Sequence, residues 1–290
     1  MKAQCENHLI KSENIAEILV KIRKEFKEYA ISNNIKSIII GVSGGIDSAL
    51  IVAICKPVCD QLSIPIRGLY LPCDSNKNDE EERAIGIGLH ACPSFQLISI
   101  QNEFECLRNK FITKHRDDFS RKIREGNIKA RIRMICLYDL ASHERGMVMS
   151  TDNLSELLLG FWTRYGDEGD YAPIREMFKT EVYRVSKYIA ENELTGNFKH
   201  FFERCINAVP TDGLGITNSD LDQLGTNTYE EVDELLIDHI LEGIDHSDST
   251  VIKRFYSTEF KRSGTIHIKR EKIIQTSFIY TSNTLLKINN

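Results

Sequence analysis

The stretch Ile38-Ile39-Ile40-Gly41-Val42-Ser43-Gly44-Gly45-Ile46-Asp47-Ser48 decides how this chain is read. Three consecutive isoleucines are too continuous for a strand with one wet face, so Ile35 to Val42 reads as a strand buried on both sides. Gly41 and Gly44-Gly45 then break it. From Asp47 the chain is apolar and helix-compatible until Pro57, and Ile66 to Leu71 supplies the next strand. This is a βαβ unit with a small-residue loop at its first strand-to-helix turn.

Working outward, Ile15, Ile18, Leu19, Ile22 and Phe26 recur at spacings of three and four, which predicts an amphipathic helix over 12–30. A helix around 79–90, a strand at Phe95–Ile100, a helix near 127–144 and a short apolar run from Gly146 to Met149 keep strand and helix alternating. After about residue 175 the pattern turns mainly helical. The expected fold is α/β, a Rossmann-like doubly wound parallel sheet flanked by helices with a helical C-terminal part. Ligands then belong at the carboxyl ends of the strands. Polar stretches at 114–126 and 212–227 read as loops, either plain surface connections or binding loops. Without an internal repeat, the expected organisation is one domain over 1–290.

Composition narrows the function classes. The 37 basic and 42 acidic residues are mixed and the net charge is −5, so no electrostatic footprint for nucleic acid is present. No apolar run approaches the roughly 18 residues that span a bilayer. Eight scattered cysteines without paired CxxC motifs or a secretory leader read as reduced thiols of a cytoplasmic protein. Cys55 and Cys59 have helical i, i+4 spacing, but no second ligand pair follows, so they are expected in the core.

The loop carries the chemistry. Small residues between a buried strand and a helix start let the backbone approach an anion closely, and the helix dipole adds partial positive charge there. Phosphate is the expected guest. The loop has neither the lysine and spacing of a Walker loop nor a GxGxxG fingerprint, which argues against an ordinary kinase or dehydrogenase. Asp47 beside such a loop repels phosphate unless a divalent cation lies between them. It reads either as a magnesium ligand or as a simple helix cap.

Ser43-Gly44-Gly45-Ile46-Asp47-Ser48 after a buried strand resembles the pyrophosphate-binding loop of the N-type ATP pyrophosphatases. Further segments resemble the ammonia-dependent NAD synthetases within that superfamily. Asn127 to Met134 is similar to their NxKARxRM segment, Ser150 to Glu156 to [GS]TxxxxE, and Phe161 to Asp170 to FxTKYGDGGAD. Pro173 to Val182 ends like the family's KTxV, Val209 to Leu214 looks like EPTADL, and Glu259-Phe260-Lys261-Arg262 like EHKR. The likeness runs from about residue 10 to 262, in the family's order, and leaves 262–290 as a divergent tail.

This resemblance implies a ligase that amidates deamido-NAD with ammonia, cleaving ATP to AMP and pyrophosphate through an adenylated intermediate. It implies Mg2+ as cofactor, ATP as co-substrate and a homodimer with substrate across the interface. It assigns ATP to Gly41, Val42, Ser43, Gly44, Gly45, Ile46, Asp47, Ser48, Thr151, Lys179 and Thr211, and magnesium to Asp47 and Glu156. Asp47 and Lys179 are the implied catalytic residues. Deamido-NAD falls to Arg131, Arg164, Asp170, Phe260 and Lys261. Arg131 and Arg133 read equally as a solvated charged face, and Glu156 and Lys179 as solvated helix residues, when the motifs are set aside.

Departures from the family pattern are Ile46 within the loop, Arg164 for lysine, Phe260 for histidine, and a GGAD stretch one residue short. An arginine fork does not reproduce an ammonium point charge. Two other readings remain: a different amide- or thiolation-forming pyrophosphatase, and a non-catalytic nucleotide-binding relative. Free ammonia is the expected nitrogen source, because the stretch before the first strand is mostly one helix and Cys5 lacks the surroundings of an amidase nucleophile.

Overall fold

Ile38 and Ile40 belong to one hydrophobic cluster and Ile39, between them, to another, so the strand that carries them is covered on both faces. A computed structural model describes residues 5–74, 76, 78–210, 219–269, 272–273, 278–281 and 284–287. Its main sheet has four parallel strands in the order β3-β2-β1-β4: β1 (Ser37–Gly41), β2 (Ile66–Tyr70), β3 (Ser94–Leu97) and β4 (Gly146–Val148). β1 pairs Ile38 with Ile66 on one side and with Met147 on the other. The sheet grows from β1 outward to β3, then the chain returns to add β4 on the opposite side. Strand order therefore reverses between β1 and β4, the crevice where doubly wound sheets bind ligands.

On the face of Ile38 and Ile40 pack α1 (Ile15–Ser32), α2 (Ile46–Leu62), α3 (Asn78–Ala91), α7 (Lys179–Asn192) and α8 (Gly196–Ile206). Ile39 faces α4 (Gln101–Phe111) and α5 (Asp118–Glu144), through Phe104, Ile132 and Leu137. A further cluster joins α6 (Leu154–Leu159), α9 (Asp220–Leu224), α10 (Tyr229–Ile240) and α11 (Thr250–Ser257) around Leu159, Val232, Leu236 and Ile252. The short α12 (Glu259–Arg262) follows, then an antiparallel pair of β5 (Phe278–Thr281) and β6 (Thr284–Lys287). The expected α/β sheet and helical C-terminal part are both present. Cys55 and Cys59 lie in the main core as free thiols, and burial drives the Cys55 thiol well up.

Several boundaries differ from the sequence reading: β3 ends at Leu97 instead of Ile100, and α9 lies within the stretch 212–227 read as a loop, of which 212–218 lies outside the described residues. α2 runs through Pro57 to Leu62. A proline in mid-helix removes the hydrogen bond to the carbonyl four residues back. Here Arg23 from α1 reaches that orphaned Ala53 oxygen with Nη2 at 3.4 Å and Ile54 O with Nε at 3.4 Å. The polar stretch 114–126 is also less of a loop than expected. Asp117 accepts from Ser120 N at 2.7 Å and caps α5, so the helix starts at Asp118. Arg121 then pairs with Glu125 one turn on.

Candidate active site

The loop after β1 is shaped by its own serines. Ser43 N donates to Ser48 Oγ at 3.2 Å, Gly45 N to Ser43 Oγ at 3.2 Å, and Ser48 Oγ to Gly45 O at 3.1 Å. The amides of Ser43 and Gly45 are thus engaged inside the loop. Gly44 has φ of 81°, and a Cβ on it would lie 2.3 Å from Glu80 O. Only glycine fits. Its carbonyl accepts from Nε of the buried Arg83 at 2.8 Å, which ties the loop to α3. Gly41, Val42, Ser43, Gly45, Ile46, Asp47 and Ser48 line a cavity of about 420 Å³.

β4 feeds the other wall. Thr151 lines the cavity, and Asn153 begins α6 by accepting from Glu156 N at 3.0 Å. The same amide donates to Asp47 Oδ1 at 2.9 Å. Lys179, the first residue of α7, brings Nζ to 2.5 Å from Asp47 Oδ2 and 2.8 Å from Glu156 Oε1. The three residues placed far apart in sequence therefore meet at one point. Burial opposes the Lys179 charge, but the Asp47 and Glu156 carboxylates prevail and raise its pKa. Burial pushes the Glu156 carboxyl up to about 8, the Lys179 ammonium pulls the other way, and the Asp47 charge adds to the rise. Two carboxyl groups thus share one ammonium.

Underneath, Asp233 of α10 fixes both helix starts. Its carboxylate accepts from Ser155 Oγ at 2.5 Å and from Thr180 N and Oγ1 at 2.8 and 2.7 Å, while Ser155 Oγ itself accepts from Lys179 N at 2.8 Å. Burial raises the Asp233 carboxyl to about 6. The Tyr229 ring lies 5.5 Å from Lys179 Nζ, and its hydroxyl donates to Asp220 at 3.2 Å. A second acidic pair sits in the cavity wall. Burial and then the Asp167 charge raise the Asp152 carboxyl to about 7, and burial raises Asp167. Thr163 N donates to Asp167 at 2.5 Å and Thr163 Oγ1 to Asn127 at 2.8 Å, which joins two of the sequence segments.

The remaining group divides. Lys261 lines the cavity and donates to Gly160 O at 2.7 Å and Trp162 O at 2.5 Å; burial and then Arg254 lower its pKa. Arg131, Arg164, Asp170 and Phe260 lie outside the cavity lining. Arg131 donates to Arg164 O, and Asp170 accepts from Tyr138 OH at 3.0 Å and Val148 N at 3.0 Å, while Phe260 is exposed. Thr211 lies outside the described residues. Sequence reasoning missed Arg83, Asn153 and Asp233. Asn153 could have been found as a helix cap three residues before Glu156; Arg83 and Asp233 gave no local signal. Among the described residues, no group of three or more His, Cys, Asp or Glu is placed to hold a metal, and no helix is long and apolar enough to cross a membrane.

The NAD synthase family matches residues 18–265. The NH(3)-dependent NAD(+) synthetase of Finegoldia magna is 32% identical over 253 residues, covering 86% of this chain and 94% of that protein. Among solved structures, NMN synthetase from Francisella tularensis has a TM-score of 0.72 at 24% identity, covering 88% of this chain and 98% of the other. NH3-dependent NAD synthetase from Campylobacter jejuni has a TM-score of 0.66 at 24% identity, covering 88% and 99%.

Proposed function

We propose that this chain, which belongs to the NAD synthase family, joins ammonia to deamido-NAD at the expense of ATP. The observation that carries the reading is the meeting of Lys179, Asp47 and Glu156 at the mouth of the glycine loop, at the sheet's switch point. In the first step the nicotinate carboxylate oxygen bonds to the α-phosphorus of ATP and the bond to the bridging oxygen breaks, releasing pyrophosphate. In the second, the ammonia nitrogen bonds to the acyl carbon, AMP leaves with the carboxylate oxygen, and the nitrogen loses a proton. Both steps concentrate negative charge and call for fixed donors more than for a protein nucleophile.

The glycine loop and the start of α2 face the β- and γ-phosphates, and Lys179 supplies positive charge beside them. Asp47 and Glu156 fit a magnesium ion, which favours one or two carboxylates plus substrate phosphates over an all-protein cage. Two carboxyl groups set beside bound phosphate are the feature that invites a divalent cation, which would also draw the proton off Glu156. When bound, the ion would offset phosphate charge. Thr151 and Thr211 belong to the ATP side in this reading, while Arg131, Arg164, Asp170, Phe260 and Lys261 belong to the dinucleotide side. A homodimer and a cytoplasmic setting are part of the same proposal; the exposed Ile135, Tyr138 and Tyr165 around Arg131 and Arg164 support the dimer. Incubation with ATP, magnesium, deamido-NAD and ammonium should yield NAD, AMP and pyrophosphate. ADP and phosphate as products would sink it.

A further inference from the structure

Arg164 is held from three directions. Arg131 donates to its backbone oxygen through Nε and Nη2 at 3.3 and 3.2 Å. Its guanidinium lies 5.9 Å from the ring centroid of Tyr165, whose backbone takes the left-handed φ of 61°. Its Nη2 donates to Gly264 O, and beside this contact Tyr165 OH meets Thr265 Oγ1 at 3.3 Å. Gly264 and Thr265 stand at the end of the family match, which stops at residue 265. The chain reaches them because α12 is pinned by Lys261 to Gly160 and Trp162 and by Arg262 to Phe255 O at 2.9 Å, after which Gly264, with φ of 64°, turns it towards Arg164.

An arginine at a protein surface ordinarily samples many rotamers, and ordering it costs roughly 2 kcal/mol of side-chain entropy. Two restraints on the guanidinium, with the backbone held by Arg131, remove that freedom before any ligand arrives. They also leave the fork's other donors to meet a planar or phosphate acceptor, and a lysine ammonium offers no such fork to orient. We propose that Ser263–Thr265 is a positioning element of the dinucleotide side of the site: the Gly264 carbonyl and the Thr265 hydroxyl fix Arg164 and Tyr165 in the orientation that receives an anionic group of the dinucleotide. The inference rests on the function proposed above and deepens it. It also makes the arginine at position 164 and the chain leaving α12 a matched pair, since the arginine needs a second-layer acceptor.

The test is kinetic, with the full chain. Gly264→Val forces a β-branched residue into left-handed backbone and displaces the carbonyl, while the space around its Cβ is open, so the fold is spared. The KM for deamido-NAD should rise about fivefold, the weight of one partly exposed hydrogen bond to a charged donor. The KM for ATP and kcat should stay within about twofold. Thr265→Val should act in the same direction and Thr265→Ser should restore the parent value. In an Arg164→Met background the Gly264→Val change should have no further effect. An unchanged or lowered KM for deamido-NAD in Gly264→Val, with the parent active, would overturn the proposal and leave the function standing. A parent that neither turns over nor binds deamido-NAD would overturn both.

Discussion

Lys179 Nζ stands 2.5 Å from Asp47 Oδ2, although 131 residues separate the two along the chain. Asp47 comes from the first turn of α2 and Lys179 from the first residue of α7, so two helix starts converge on one charge pair. With Glu156 2.8 Å away on the other side, the ammonium occupies the gap between two carboxylates. Removing it strands buried negative charge. Lys179→Met should therefore lower kcat by about two orders of magnitude or more. It should also cost about 3 kcal/mol of stability, much of it recovered as magnesium is added. A variant with normal kcat, or with a melting temperature indifferent to magnesium, would remove Lys179 from its assigned place. Asp47→Asn and Glu156→Gln should each abolish turnover at limiting magnesium while the far-ultraviolet circular dichroism stays unchanged.

Gly44→Ala tests the loop itself. Its Cβ would approach Glu80 O to 2.3 Å in a left-handed conformation, so the loop must move away from α3. We expect at least a tenfold rise in the KM for ATP and a loss of about 2 kcal/mol. Arg83→Met, which leaves the Gly44 carbonyl without its 2.8 Å donor, should weaken ATP in the same direction but less. Unaltered ATP affinity in both variants would show that the loop's shape does not depend on α3.

Asp233 predicts a pH dependence of stability. Its carboxyl lies at about 6 in the folded chain against an ordinary 3.8, so the folded state holds the proton more tightly than the unfolded one. The stability from this group is fully present below 3.8 and is lost as pH rises through 6. Roughly two pKa units correspond to about 3 kcal/mol. Asp233→Asn keeps an acceptor for Thr180 without the titration, so its stability relative to the parent should improve steadily from pH 4 to 7. Chemical denaturation across that range reads this directly, and a constant difference between the two proteins would refute it.

The nitrogen source gives the last prediction. Neutral NH3 is the nucleophile, so at limiting total ammonium the rate should rise with pH until an enzyme group or the fold fails, and glutamine should not replace ammonium. Efficient NAD formation from glutamine by ammonia-free protein would require a glutaminase site.

What the sequence made legible, and what it hid, follows from locality. The isoleucine run and the glycine loop are local patterns, and the sheet followed from them; Glu156 and Lys179 are singled out only by the family resemblance, since alone each reads as a solvated helix residue. Pro57 misled because the donor that offsets it, Arg23, comes from another helix. The polar stretch 114–126 misled because charge hides a helix whose stability comes from an Asp117 cap and an Arg121–Glu125 pair. Asp233 was invisible for the same reason: an aspartate among helix acids acquires meaning only when Ser155 and Thr180 arrive from elsewhere.

Asn153 has one donating and one accepting end, and each is used: the oxygen takes Glu156 N, the nitrogen gives to Asp47 Oδ1. An aspartate would cap α6 as well as this asparagine does. It would nevertheless turn an attraction towards Asp47 into a repulsion, prising apart the two acids proposed above to share a cation. A single amide is thus the gauge block of the site. Screening for folded protein would pass Asn153→Asp as harmless, while a cation-binding assay would register the damage.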